Sequence, residues 1–159
     1  GVERFAQELQ AAGGVGTITP DLTPEEAADW RAATDRHDLD RVFLVAPSSP
    51  DERIKAVTAV TSGFVYAAST MGVTGVRTSV SGAAAALVSR VRAVTTLPVC
   101  VGLGVSTGEQ AGEVAAYADG VIVGSAFIRA VQEAPNRAAA REQVGRLARE
   151  LAAGVRNRR

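Results

Sequence analysis

The chain is poor in the residues that most often carry chemistry, and each scarcity removes a class of function. Cys100 is the single cysteine, so no intrachain disulfide can form and a reducing cytoplasm is the simple expectation. His37 is the single histidine. It lies in the charged stretch Thr34–Asp35–Arg36–His37–Asp38 with no acid/base constellation around it, so it reads as a solvated surface residue. No metal-ligand spacing and no nucleophile–base pair is visible. Charge of one sign is lacking too: Lys+Arg and Asp+Glu number 17 each, which leaves no general field for nucleic acid or an anionic membrane. No apolar run approaches the roughly 18–20 residues needed to span a bilayer, and nothing at the N-terminus resembles a signal peptide. An initiating Met is missing as well. Gly1 opens directly on a helical pattern, as expected if processing or a chosen boundary removed what came before.

What is present alternates with regularity. Val2, Phe5, Ala6 and Leu9 recur at helical spacing, and Gly13–Gly14 supply a stop. Val15–Thr19 reads as a short strand. Thr23–Pro24–Glu25–Glu26 has the hydroxyl, proline and acids of a helix start, and that helix should run to about His37. Val42–Ala46 is a continuous apolar run, as expected of a strand buried on both faces. Ser49–Pro50–Asp51–Glu52 begins a helix that should end before Gly63, and a strand follows at Phe64–Ala67. After the loop Ser69–Ser79 comes an Ala-rich helix to about Thr95, a strand at Pro98–Val101 and a helix over Gly108–Tyr117. Val121–Val123 is the last strand, before a short helix from Ser125 and a longer one from Asn136 to Val155.

Strands that alternate with helices imply a parallel sheet with helices outside. A doubly wound nucleotide fold would show a Gly-rich fingerprint between its first strand and helix, and none is found. A (β/α)8 barrel places its phosphate site in the loops after the last two strands, with a short extra helix. Here Gly102–Leu103–Gly104–Val105–Ser106 follows the penultimate strand, and Gly124–Ser125 opens a short helix after the last. The pattern therefore predicts a partial (β/α)8 barrel over 1–159 as a single domain, five C-terminal βα units with phosphate-binding loops. The other three strands would lie before Gly1.

Gly102 and Gly104 would let backbone approach an anion, while Gly124 and Ser125 would offer helix-start amides and a hydroxyl. Each glycine alone could equally serve a tight turn. Ser69–Gly75 could be a lid over a ligand or an ordinary connection. Tyr66, at a strand end, could face a pocket or sit in the core. Asp21 could orient a substrate or cap the helix near Pro24. Cys100 and Trp30 read as packing.

Taken together these residues resemble a family. Thr19–Pro20–Asp21–Leu22 with Pro24–Glu25–Glu26, Ala46–Pro47–Ser48, Phe64–Val65–Tyr66, Gly72–Val73–Thr74–Gly75, Gly102–Leu103–Gly104–Val105–Ser106 and Gly124–Ser125–Ala126 are similar, in order and spacing, to the alpha subunit of tryptophan synthase. Related phosphate barrels of tryptophan and histidine synthesis share only the last two motifs. The resemblance implies a metal-free, cofactor-free lyase that cleaves indole-3-glycerol phosphate to indole and glyceraldehyde 3-phosphate and hands indole to a beta subunit. It implies that Gly75, Gly104, Gly124 and Ser125 hold the phosphate. Ile18, Leu44, Tyr66 and Leu103 would line the indole pocket, with Thr74 on a closing loop. The family's proton-shuttling glutamate and indole-binding aspartate have no matched position, so no catalytic residue is assigned, and the isolated chain is expected to be inactive. Another phosphate-barrel isomerase or synthase, or a non-catalytic half-barrel module, are the alternatives. Two unpaired strand edges, at Val15–Thr19 and Val121–Val123, and inner-face residues such as Val42, Leu44, Val101 and Ile122 would favour self-association.

Overall fold

The computed structural model describes residues 1–68, 77–102 and 104–157, with backbone alone over 77–81. Helix α1 (Val2–Ala11) precedes β1 (Gly16–Ile18), α2 (Ala28–Arg36), β2 (Asp40–Val42) and β3 (Leu44–Val45). Then follow α3 (Asp51–Val60), β4 (Val65–Ala68), α4 (Arg77–Arg92), β5 (Val99–Gly102), α5 (Gly108–Ala115), β6 (Gly120–Ile122), α6 (Ser125–Gln132) and α7 (Arg137–Arg156). Every strand pair is parallel, in the orders β1–β2 and β3–β4–β5–β6. At the two ends of this arc, β1 is paired to β2 and β6 to β5.

The expected strand Val42–Ala46 is in fact two short strands joined at Phe43. The chain changes neighbours there. Val42 O accepts from Thr19 N at 3.1 Å on the β1 side, and Phe43 O accepts from Tyr66 N at 3.1 Å on the β4 side. The Phe43 side chain is 1% exposed and anchors the join in the core. The expected helix start at Thr23 is also corrected. Thr23 Oγ1 donates to Glu26 Oε2 at 2.7 Å, a contact within the turn and not the helix cap expected of it. Residues 23–26 close a turn instead, with Glu26 N on Thr23 O at 3.1 Å, and α2 begins only after the buried Ala27.

Register settles the two faces of the larger sheet. Val45, Ala67 and Val101 form one row, Leu44, Tyr66, Cys100 and Gly120 the next, and Ala68, Gly102 and Ile122 the row after. The first row packs under the helices with Phe43, Val65 and Val99, all between 0 and 2% exposed. Ile54, Val57, Leu87, Val88, Val91 and Val114 complete that core from the helical side. Val101 therefore belongs to the outer core, and its expected place on the inner face is wrong by one step of the strand's two-residue period. A smaller cluster of Ala6, Trp30, Ala33 and Leu39 joins α1 to α2, with Trp30 6% exposed and tilted against Phe5 at 5.8 Å.

The helix layer closes tightly at its far end. A Cβ on Gly108 would lie 2.7 Å from Glu150 O, and one on Gly154 would strike Gly108 O, so α5 and α7 touch backbone to backbone.

Candidate functional site

The inner face is where the alternate residues of these strands gather. Leu44 and Tyr66 stand side by side in register, with Cys100 and Gly120 continuing the row. All are partly buried, unlike the outer row. Tyr66 leans across β5. A Cβ on Gly102 would strike the phenol oxygen, come within 2.8 Å of the ring carbon bearing it, and approach Ile122 Cβ at 2.9 Å. Gly102 is thus a buried strand residue whose missing side chain makes room for Tyr66. Gly120 does the same for Cys100: a Cβ there would lie 2.7 Å from Sγ. Ile18 is separate. It pairs with Val42 in the β1–β2 sheet and is 46% exposed.

Ile122 lies on the inner face as expected, and Cys100, read from the sequence only as packing, shares that face. Among the described residues, Leu44, Tyr66, Ala68, Cys100, Gly102, Gly120 and Ile122 on this face carry no carboxylate, and Asp40, two residues before Val42, stands at the N-terminal end of β2, away from the turns that follow the strands. Burial pushes the Tyr66 phenol up, and burial with the nearby Asp119 pushes the Cys100 thiol up, so both are neutral at neutral pH.

Two turns sit at the ends of β5 and β6. Gly104 holds φ +87°, a conformation other residues rarely adopt. Directly after it α5 is capped by side chains at most of its first amides. Thr107 accepts from Gln110 N, Gln110 Oε1 accepts from Ser106 N at 2.8 Å, and Glu150 Oε1 accepts from Gly108 N at 3.0 Å. Those amides are therefore spent, and the glycine end of the turn is what remains to face a ligand. At the second turn Gly124 is the N-cap of α6 and makes no side-chain cap. Its carbonyl accepts from Phe127 N and Ile128 N at 3.0 and 3.3 Å, leaving the amides of Ser125 and Ala126 as the helix's orphan donors. A Cβ on Gly124 would meet nothing within 4 Å, so open space lies in front of that helix start.

Thr74, Gly75, Leu103 and the candidate lid lie outside the described residues. Asp21 is exposed. His37 is not the solvated residue expected. Its side chain is 17% exposed, with Nε2 2.9 Å from Glu3 Oε1 and Nδ1 3.2 Å from Gln10 Oε1. Arg36 pairs with the same Glu3, and the two partners, Arg36 first, hold that carboxyl down to about 2. Among the described residues no group of three or more His, Cys, Asp or Glu could hold a metal ion, and no helix is long and apolar enough to cross a membrane.

Parallel strands in an arc, helices outside, an apolar inner row and glycine turns after the last two strands define part of a (β/α)8 barrel. Comparison with known proteins gives the family. The family model described as tryptophan synthase alpha chain matches residues 1–156. The chain is 64% identical over 156 residues to the tryptophan synthase alpha chain of Mycobacteroides abscessus, covering 98% of this chain and 57% of that one. To its Streptomyces coelicolor counterpart it is 60% identical, over 58% of that relative. A solved Mycobacterium tuberculosis tryptophan synthase superposes with a TM-score of 0.86 at 56% identity, over 98% of this chain and 57% of that one. The Pyrococcus furiosus tryptophan synthase α2β2 complex gives 0.83 at 34% identity, over 96% and 61%. The chain belongs to the tryptophan synthase alpha chain family, and spans about 57% of the length of such relatives.

Proposed function

We propose that this chain supplies the indole pocket and phosphate grip for the cleavage of indole-3-glycerol phosphate to indole and glyceraldehyde 3-phosphate in tryptophan biosynthesis. The observation that carries it is that the inner face holding Leu44 and Tyr66 also holds Ile122, two residues before the open helix-start donors at Gly124–Ser125. The face suits a flat aromatic ring and the donors a phosphate. Leu103, Thr74, Gly75 and Gly104 would have the roles the resemblance gives them, and Ile18 would contribute from the edge. Ile122 joins the pocket wall.

The retro-aldol step needs a placed acid/base group, which typically supplies about 10²–10⁴-fold. Neither neutral Tyr66 nor neutral Cys100 is suited to be that base, and among the described residues no carboxylate lies at the turn end of the inner face, Asp40 standing at the opposite end of β2. The chain alone should therefore bind but not turn over. Calorimetry with indole and inorganic phosphate, beside an indole-release assay on the purified chain, tests both halves. Binding without release is expected; robust release would overturn the division of labour. A beta-type subunit is the proposed partner, the cytoplasm the proposed location, and association through the β1 and β6 edges the proposed behaviour of the chain by itself. Sedimentation at micromolar concentration would show association, and a well-dispersed monomer would refute it.

A further inference from the structure

Two arginines near the end of α4 tie that helix to the units on either side of it. Arg92 reaches one neighbour: Nη1 donates to Tyr117 O and Nη2 to Asp119 Oδ1, both at 2.8 Å. Arg90 reaches the other. Its Nε and Nη2 donate to Asp51 Oδ1 at 2.8 and 2.7 Å, Nη1 to Pro47 O at 3.3 Å and Nη2 to Ser49 O at 2.5 Å. Helical side chains lean toward the helix N-terminus. Arg90 accordingly reaches back along α4 to the turn that follows β3.

That turn has few bonds of its own. Ser49 N donates to Ala46 O at 2.9 Å and Ala46 N to Ser49 Oγ at 3.0 Å. Pro50, the N-cap of α3, provides no side-chain cap. The strand before it is only Leu44–Val45, laddered to β4 alone. Val45 is locked in the outer core at 2% exposure, but Leu44 has no such packing to fix it. Its placement depends on how the chain leaves the strand, and three acceptors of the following turn converge on Arg90. An exposed ion pair of this kind would stabilise little by itself. A planar fork shared between a carboxylate and two carbonyls instead fixes geometry, which an ammonium cannot reproduce.

We propose that Arg90 is a positioning residue for the indole pocket, holding the Ala46–Asp51 turn to α4 so that Leu44 stays beside Tyr66; this rests on the indole reading of the inner face. The test titrates indole and inorganic phosphate separately into the full chain, following the Leu44, Ala68 and Ile122 methyl resonances, for wild type, Arg90→Ala, Arg90→Lys and Arg92→Ala. Arg90→Ala should weaken indole about tenfold while phosphate affinity stays within about twofold. Arg90→Lys should fall between, since it keeps the charge and loses the fork. Arg92→Ala should lower the thermal midpoint as much as Arg90→Ala, yet leave indole binding and the Leu44 methyl shifts unmoved. Unchanged indole affinity in Arg90→Ala would overturn the proposal, as would parallel loss of indole and phosphate, the mark of a purely structural residue. A wild type that binds phosphate but no indole would remove the pocket reading itself, and this inference with it.

Discussion

The two faces of one sheet are built from alternate residues of the same strands, and they are held to different standards. On the outer face Phe43, Val45, Val65, Ala67, Val99 and Val101 are 0–2% exposed under the helices. On the inner face Leu44, Tyr66, Cys100 and Ile122 are partly exposed, and glycines at 102 and 120 leave space beside Tyr66 and Cys100. Both sets are mainly apolar. Composition does not distinguish them; the two-residue period does. Stability is concentrated on one side, and the other is left free to be shaped for a ligand.

Exchanging the demands on the two faces should break that contrast. The largest effect is expected at Phe43, where the chain passes from one sheet to the next. Phe43→Ala should cost about 3–5 kcal/mol, whereas Leu44→Ala one residue away should cost about 1–2 kcal/mol because its site is already open. Urea titrations of the two variants read this directly, and equal costs would remove the distinction. Next is Gly102→Val, whose added carbons would strike Tyr66 and Ile122. Overpacking of this kind costs about 1–3 kcal/mol, and the displaced Tyr66 should weaken indole binding in the same variant. Normal indole affinity there would show that Tyr66 does not shape the pocket.

Gly124→Leu should separate function from stability. A Cβ there meets nothing within 4 Å, so the unfolding midpoint should shift by less than about 0.5 kcal/mol while phosphate binding is lost. Phosphate titration with and without the substitution decides it. The smallest effect belongs to the contact between α1 and α2. Glu3 has its carboxyl lowered from 4.5 to about 2 by Arg36 and His37, so its contribution is full above the unfolded value and is lost as pH falls from about 4.5 toward 2. Glu3→Gln should flatten the acid limb of the melting curve slightly, and an unchanged limb would mean the exposed cluster contributes nothing measurable.

Most of the element order was legible because periodicity and turn chemistry agree. Gly13, at φ +85°, ends α1 as its position suggested, and α3, α5, α6 and α7 begin within a residue or two of their expected starts. What was not legible depends on neighbours distant in sequence. Nothing in the run Val42–Ala46 announces that Phe43 changes partners, since a buried strand and a broken one look alike when every residue is apolar. The N-cap expected at Thr23 failed because residues 23–26 close a turn on themselves and the helix begins only at Ala28. His37 looked solvated because Glu3 and Gln10, its partners, come from the preceding helix. At the site, the Gly124–Ser125 turn was visible as a motif, but the room that Gly102 leaves for Tyr66 was not. The glycine's role is set by the width of a tyrosine on the neighbouring strand, which no spacing rule reports.

The central claim is that the inner face and the turn at Gly124 act together on one molecule, and calorimetric titration of indole-3-glycerol phosphate tests it most directly. Because the two ends of that ligand are linked, it should bind more tightly than indole or phosphate alone, by about 10²-fold or more over the better of the two. In Gly124→Leu its affinity should fall to that of indole. An affinity no better than that of phosphate alone, or one indifferent to Gly124→Leu, would contradict the account.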